Sequence, residues 1–158
     1  MTEKGYAPGM TNHATTADAE IILRLYDLRR EPVMREARKF MAFDFWPGSF
    51  EELGKMFAAG GDEFAYWRQV TSYWDMAMSF VTRGALDAGL FLDNANEMFF
   101  TYAKIKPFLP ALREAMSPLF WKRIEDFITS SPEAQQKLAI ITKNVERVRE
   151  QRMKSAAA

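Results

Sequence analysis

Residues 62–113 read DEFAYWRQVTSYWDMAMSFVTRGALDAGLFLDNANEMFFTYAKIKPFLPALR, and the spacing of apolar positions in this stretch decides the fold class. Trp67, Val70, Trp74, Ala77 and Val81 recur in steps of three and four, the period of one helix face. Phe64, Tyr73, Met78 and Phe80 widen that stripe until most of the circumference is apolar. Such a helix needs neighbours on more than one side, so it is predicted to be the centre of a bundle. Asp62 reads as its cap and Gly84 as its stop. Asp87 then reads as the cap of an aromatic helix carrying Leu90, Phe91, Met98, Phe99 and Tyr102, before Pro107 and Pro110 interrupt the pattern.

Working outward, a first helix is expected from Thr16 or Asp18 to about Arg30, with Ile21, Ile22, Leu25 and Leu28 as its apolar face. Pro32 fits the start of a second helix better than the interior of the first. That second helix, to about Phe43, is predicted to bury Val33, Ala37, Phe40 and Met41. Ser49 and Glu52 have capping-box spacing for a short third helix that stops at Gly60-Gly61. Ser117-Pro118 and Ser131-Pro132 each read as a cap followed by a first-turn proline. The prediction is an all-α, single-domain bundle of about six to eight helices. Residues 1–15 form a flexible tail, 16–131 the bundle, and 132–158 an amphipathic helix with a frayed end.

Composition narrows the function classes. The 158 residues carry 21 basic and 21 acidic side chains, a balance unlike that of a chain that binds nucleic acid through its net field. The basic residues at Arg24, Arg29, Arg30, Arg35, Arg38 and Lys39 are interleaved with acids and read as a locally paired, solvated face. With no cysteine there are no disulfides, thiolate metal sites or cysteine nucleophiles. No apolar run approaches the ~20 residues of a membrane span, and the amino terminus lacks a signal-type apolar core. These features lead to an expectation of a soluble, cytoplasmic protein.

Candidate chemistry is sparse. The one histidine, His13, falls in the predicted tail, so di-iron and zinc motifs are not assembled and no metal or cofactor is expected. Asp93–Glu97 lacks the glycine and terminal glutamate of a calcium loop. The ten methionines read as core filler. Arg68, Asp75, Arg83, Asp87 and Arg113 lie on or beside the most apolar helices, where an unpaired charge is costly. They form either structural ion pairs or a small polar pocket for an anionic ligand.

Phe64-x-x-Trp67, then Phe80-Val81-x-x-Gly84-x-Leu86-Asp87, then Tyr102…Pro107-x-x-Pro110-x-x-Arg113 resembles a bacterial family of small helical domains of unknown function. The likeness covers roughly residues 18 to 128. Many members carry amino-terminal membrane helices, which are not expected here. The resemblance implies the helical fold and supplies no catalytic residues.

The last predicted helix carries Ala134, Leu138, Ile141, Val145 and Val148 in alternating steps of four and three, a seam for side-by-side packing. The seam suits the domain's own core or a second chain equally. The expectation is that part of it, through Leu138, Ile141, Val145 and Val148, is intermolecular. The function expected from the sequence is therefore a non-enzymatic interaction or oligomerisation module. The alternative is a binding domain that holds a small apolar or anionic ligand between aromatic helices.

Overall fold

The computed structural model describes residues 13–158, so most of the predicted tail lies outside the described residues. Every regular element among them is helical. Helix α1 (Thr16–Arg30) opens on a capping box in which Thr15 and Asp18 satisfy each other's exposed donors. Glu31 then accepts from the Met34 N–H at 2.9 Å and caps α2 (Pro32–Lys39), which loosens into a π-helical turn at Phe40–Asp44. Before α3 (Phe50–Ala59), Ser49 accepts from the Glu52 N–H, but the Glu52 carboxylate reaches back to the Gly48 N–H. The predicted reciprocal box is thus displaced by one residue.

Gly60 (φ 65°) and Gly61 (φ 70°) carry the chain through left-handed geometry into α4 (Gly61–Thr82), where a side chain would be strained. Asp62 stands in the first turn of α4 and complements its dipole but is not the cap. Asp87 accepts from the Leu90 N–H at 2.7 Å and caps α5 (Ala88–Asn94), as its position predicts. The aromatic helix that follows breaks at fully buried Ala95 before α6 (Asn96–Ile105). A 3-10 turn, Lys106–Phe108, leads into α7 (Leu109–Ala115), with Pro107 and Pro110 each in a first turn, where a missing N–H costs little.

Ser117-Pro118 does not start a helix. Residues 117–121 form a turn, and α8 (Lys122–Ser130) begins only after Trp121, whose φ of 52° is left-handed. Ser131 does cap α9 (Pro132–Ala156), accepting from the Ala134 N–H at 3.2 Å.

The core forms around α4, which packs against α2, α3, α8 and the π turn, while α6 and α8 pack along α9. Trp67, Val70, Trp74 and Ala77 are each at most 2% exposed, whereas Val81 is only half-buried near the helix end. Burial of each such large side chain contributes about 1.5–3 kcal/mol. Leu28 and Val33 face outward, against expectation. The predicted Ala37, Phe40 and Met41 are buried, and Met34 at the start of α2 takes the inward place expected of Val33. Ala134, Leu138 and Val145 are buried, making α9 part of the same core and not an appended segment. No helix among the described residues is long and apolar enough to cross a membrane.

Candidate functional site

The outer face of α4 and the turn at 116–121 enclose a groove of about 630 Å³. Its floor carries Arg68, Ser72 and Asp75, and its far wall Met116, Leu119 and Phe120. Phe64, Trp67, Phe120, Trp121 and Tyr102 form a ladder of nearly parallel rings, successive planes differing by 17° or less. This ladder ties the turn to α4 and α6, and offset stacking of this kind adds to simple area burial. Two hydrogen bonds hold the turn from behind: Trp121 Nε1 donates to the Thr71 carbonyl at 3.0 Å, and Arg113 Nε to the Phe120 carbonyl at 3.0 Å. Glu125, 2.9 Å from Arg113, fixes that guanidinium; burial pushes its carboxyl up, but hydrogen bonds from Lys122 and then Arg113 hold it below the usual range.

Of the five sequence-predicted polar residues, the groove brings together Arg68 and Asp75, and Arg113 braces its wall. Arg68 makes no ion pair among the described residues and lies 5.8 Å over the Phe64 ring. Asp75 Oδ1 is 3.4 Å from Arg123 Nε, an ion pair by distance that lacks hydrogen-bond geometry. Arg83 and Asp87 are placed elsewhere. Arg83 is exposed at the end of α4, and Asp87 is buried at the start of α5 with its own N–H donated to Asp18 Oδ1 at 2.8 Å. The Thr15 hydroxyl, its N–H and the Asp87 N–H together hold the Asp18 carboxyl below its ordinary pKa.

The most unusual group was not among those five. Lys104 on α6 is fully buried, and its Nζ donates to the carbonyls of Met41 (2.6 Å), Ala42 (3.2 Å) and Phe45 (3.0 Å). The Trp46 ring lies 3.7 Å from the ammonium and the Phe100 ring 4.5 Å. The π turn leaves carbonyls without helical partners, and the ammonium occupies that end, where a cation is favoured. Burial nevertheless pushes the Lys104 pKa down to about 7, with Arg152 and Arg149 adding to the fall and Asp44 opposing it. A signal existed in the sequence: Lys104 interrupts the apolar run Met98–Ile105. Its acceptors, being backbone carbonyls, left none.

Glu97, also on α6, gathers two arginines from the cluster at 24–39. Arg38 grips it with Nε 3.0 Å from both carboxylate oxygens, and Arg29 approaches to 3.8 Å. Arg38 also donates to the Arg29 carbonyl at 2.9 Å, and its pKa is raised mainly by the Glu97 hydrogen bonds. The expectation of a purely local, solvated charge face therefore fails for these two residues. Beside them Tyr73 donates to the Leu25 carbonyl at 2.7 Å, and burial pushes its pKa up to about 12.

A second groove, of about 520 Å³, runs between α6 and α9 past Phe100, Ile140 and Ile141, with Glu97, Lys137 and Asn144 around them. Here the predicted seam divides. Leu138 and Val145 are enclosed by the chain's own core, and Ile141 and Val148 are half-buried at its edge. His13 is exposed. No cluster of three or more His, Cys, Asp or Glu side chains among the described residues is placed to hold a metal ion.

No curated protein and no solved structure matches this chain. A family described as a domain of unknown function (DUF4760) matches residues 14–131. The match begins beside the Thr15 cap of α1 and ends on Ser131, the cap of α9, so it takes in the groove, the ring ladder and Lys104: the chain belongs to this family.

Proposed function

We propose that this chain is a non-enzymatic module that self-associates across the outer edge of α9, with a second copy of the chain as partner. The observation that carries this reading is Ile140, 59% exposed beside half-buried Phe100 and Ile141 in the apolar groove between α6 and α9. The rim of that groove carries one carboxylate, Glu97, and one ammonium, Lys137. Both are already held within the chain, Glu97 by Arg38 and Lys137 by the Leu92 carbonyl, so the apolar centre is what remains to meet its own copy in an isologous contact. A non-enzymatic role is supported by where the charges lie. Lys104, Asp87 and Arg113 are engaged with backbone groups, Glu97 with Arg38 and Arg29, and Arg113 also with Glu125, and they do not converge on one cleft. The absence of cysteine fits a reducing compartment, and the cytoplasm is the proposed location.

Light scattering on Ile140→Glu tests the reading. The wild type should exceed the mass of one chain, and the variant should fall to it with its helical circular dichroism unchanged. Leu138→Ser should instead unfold, because that side chain is inside the core. A wild type that stays monomeric at millimolar concentration, or an Ile140→Glu variant that assembles normally, would refute self-association through this edge.

A further inference from the structure

The groove between α4 and the 116–121 turn has no part in the self-association described above. Its volume of about 630 Å³ falls within the range of small-molecule sites. Trp67 Nε1 and Asp75 Oδ1 of its lining are two of six buried polar side-chain atoms without a hydrogen bond among the described residues, although Asp75 Oδ1 has Arg123 Nε 3.4 Å away. Trp121 is the one non-glycine residue with positive φ among those described, and it stands in the groove's wall. Strained backbone of this sort persists where surrounding contacts over-determine it, often beside a ligand. The surrounding contacts here are the Thr71 and Phe120 carbonyls, held by Trp121 and Arg113, so the wall is set before anything enters.

The chemistry of the lining is lopsided. Arg68 and Arg123 supply two guanidinium groups against the single carboxylate of Asp75, which lies nearer Arg123. Asp75 and Arg68 are seven residues apart, about 10 Å along the helix, so the acid does not neutralise Arg68. Opposite stand an aromatic ring, Phe120, and two exposed apolar side chains, Leu119 (75% exposed) and Met116 (47%). We propose that this groove binds a small aromatic carboxylate, its anionic group at Arg68 and its ring against Met116, Leu119 and Phe120. Planar guanidinium pairs well with carboxylate, and an apolar wall made of one ring and two flexible aliphatic side chains suits a planar body.

The probe is 2-naphthoate, followed through the four tryptophan indole N–H resonances of the ¹⁵N-labelled protein. Saturating shifts at Trp67 and Trp121, with Trp46 and Trp74 unmoved and half-saturation below about 1 mM, are the expected result. Arg68→Gln should weaken binding about fivefold or more, and neutral 2-naphthalenemethanol should bind correspondingly less well than the acid. Asp75→Asn should tighten binding modestly, because it removes the single carboxylate of the groove, which repels an anion there, an effect opposite in sign to damage of the fold. Shifts that fail to saturate or spread to Trp46 and Trp74 would overturn the proposal. So would affinity that ignores both substitutions, or equal binding of the acid and the alcohol.

Discussion

Replacing Lys104 with methionine keeps most of the buried volume and removes the ammonium, so it isolates the charge. Three carbonyls, of Met41, Ala42 and Phe45, then lose their donor. Each buried acceptor left unsatisfied costs about 1–3 kcal/mol, offset by the desolvation of an ammonium that no longer has to be buried. The two terms separate with pH. The folded-state pKa is lowered from 10.5 to about 7. Between those values the unfolded chain binds one proton more than the folded one, and stability rises with pH. The contribution is fully present above the unfolded pKa and is lost as pH falls through the folded one. At 1.36 kcal/mol per unit, the whole shift corresponds to about 5 kcal/mol, and the interval from pH 6 to pH 9 to about 2.7 kcal/mol. Urea unfolding of wild type and Lys104→Met at pH 6, 7, 8 and 9 measures it. The wild type should gain on the variant by ~2–3 kcal/mol across that range. A difference independent of pH would refute the reasoning. It would mean that the three carbonyls and the Trp46 and Phe100 faces hold the ammonium as firmly as water does.

Trp74→Ala, at a site 2% exposed, should cost about 3–5 kcal/mol and lower the thermal midpoint by roughly 10 °C or more; an unchanged midpoint would show that α4 is not central. Glu97→Gln should cost about 1–2 kcal/mol in urea unfolding, and Arg38→Met should cost less in that background than in the wild type. Gly84→Ala should destabilise by about 1–2 kcal/mol from backbone strain alone, since φ is 74° and a Cβ there meets nothing. Gly54→Ala, inside α3 and also in open space, should instead stabilise by about 0.5–1 kcal/mol.

What could be read from the sequence was local. The ring spacing of Trp67 to Ala77 gave the central helix, and Asp87 and Ser131 cap where their positions said they would. Ser117-Pro118 has the same letters as Ser131-Pro132 and the opposite outcome. Trp121 follows, and its indole bond to Thr71 on α4 holds the turn in place of a helix start. A two-residue motif carries no information about a contact fifty positions away. Leu28 and Val33, on either side of Pro32, are exposed although Ala37, Phe40 and Met41 are buried: spacing marks a helix face and not how far along it the core reaches. The candidate charges were chosen as interruptions of apolar helices; of them Arg68 and Asp75 line the groove and Arg113 braces its wall. Lys104 met the same criterion, and only its partners, carbonyls sixty residues upstream, could have set it apart.

The basic residues make sense together once their acceptors are compared. Arg38 donates to Arg29 at the end of α1, and Lys137 to Leu92 in the last turn of α5. Arg149 donates to Lys104 at the end of α6, and both Lys104 and Arg152 reach carbonyls of the π turn. A bundle of short helices has many carboxyl-terminal ends, each with carbonyls that no helical N–H can satisfy and a partial negative charge. Long cationic side chains from neighbouring helices supply the missing donors, and their apolar stems pack on the way. Three of these five cations, Lys137, Arg149 and Arg152, come from α9, which lies beyond the matched family segment. That helix therefore does more than lay Ala134, Leu138 and Val145 on α6 and α8, because it also caps α5, α6 and the π turn. A seam used so fully within its own chain cannot be lent to a second one without exposing those ends. Any association through α9 must use its outer edge at Ile140, and leave the seam closed.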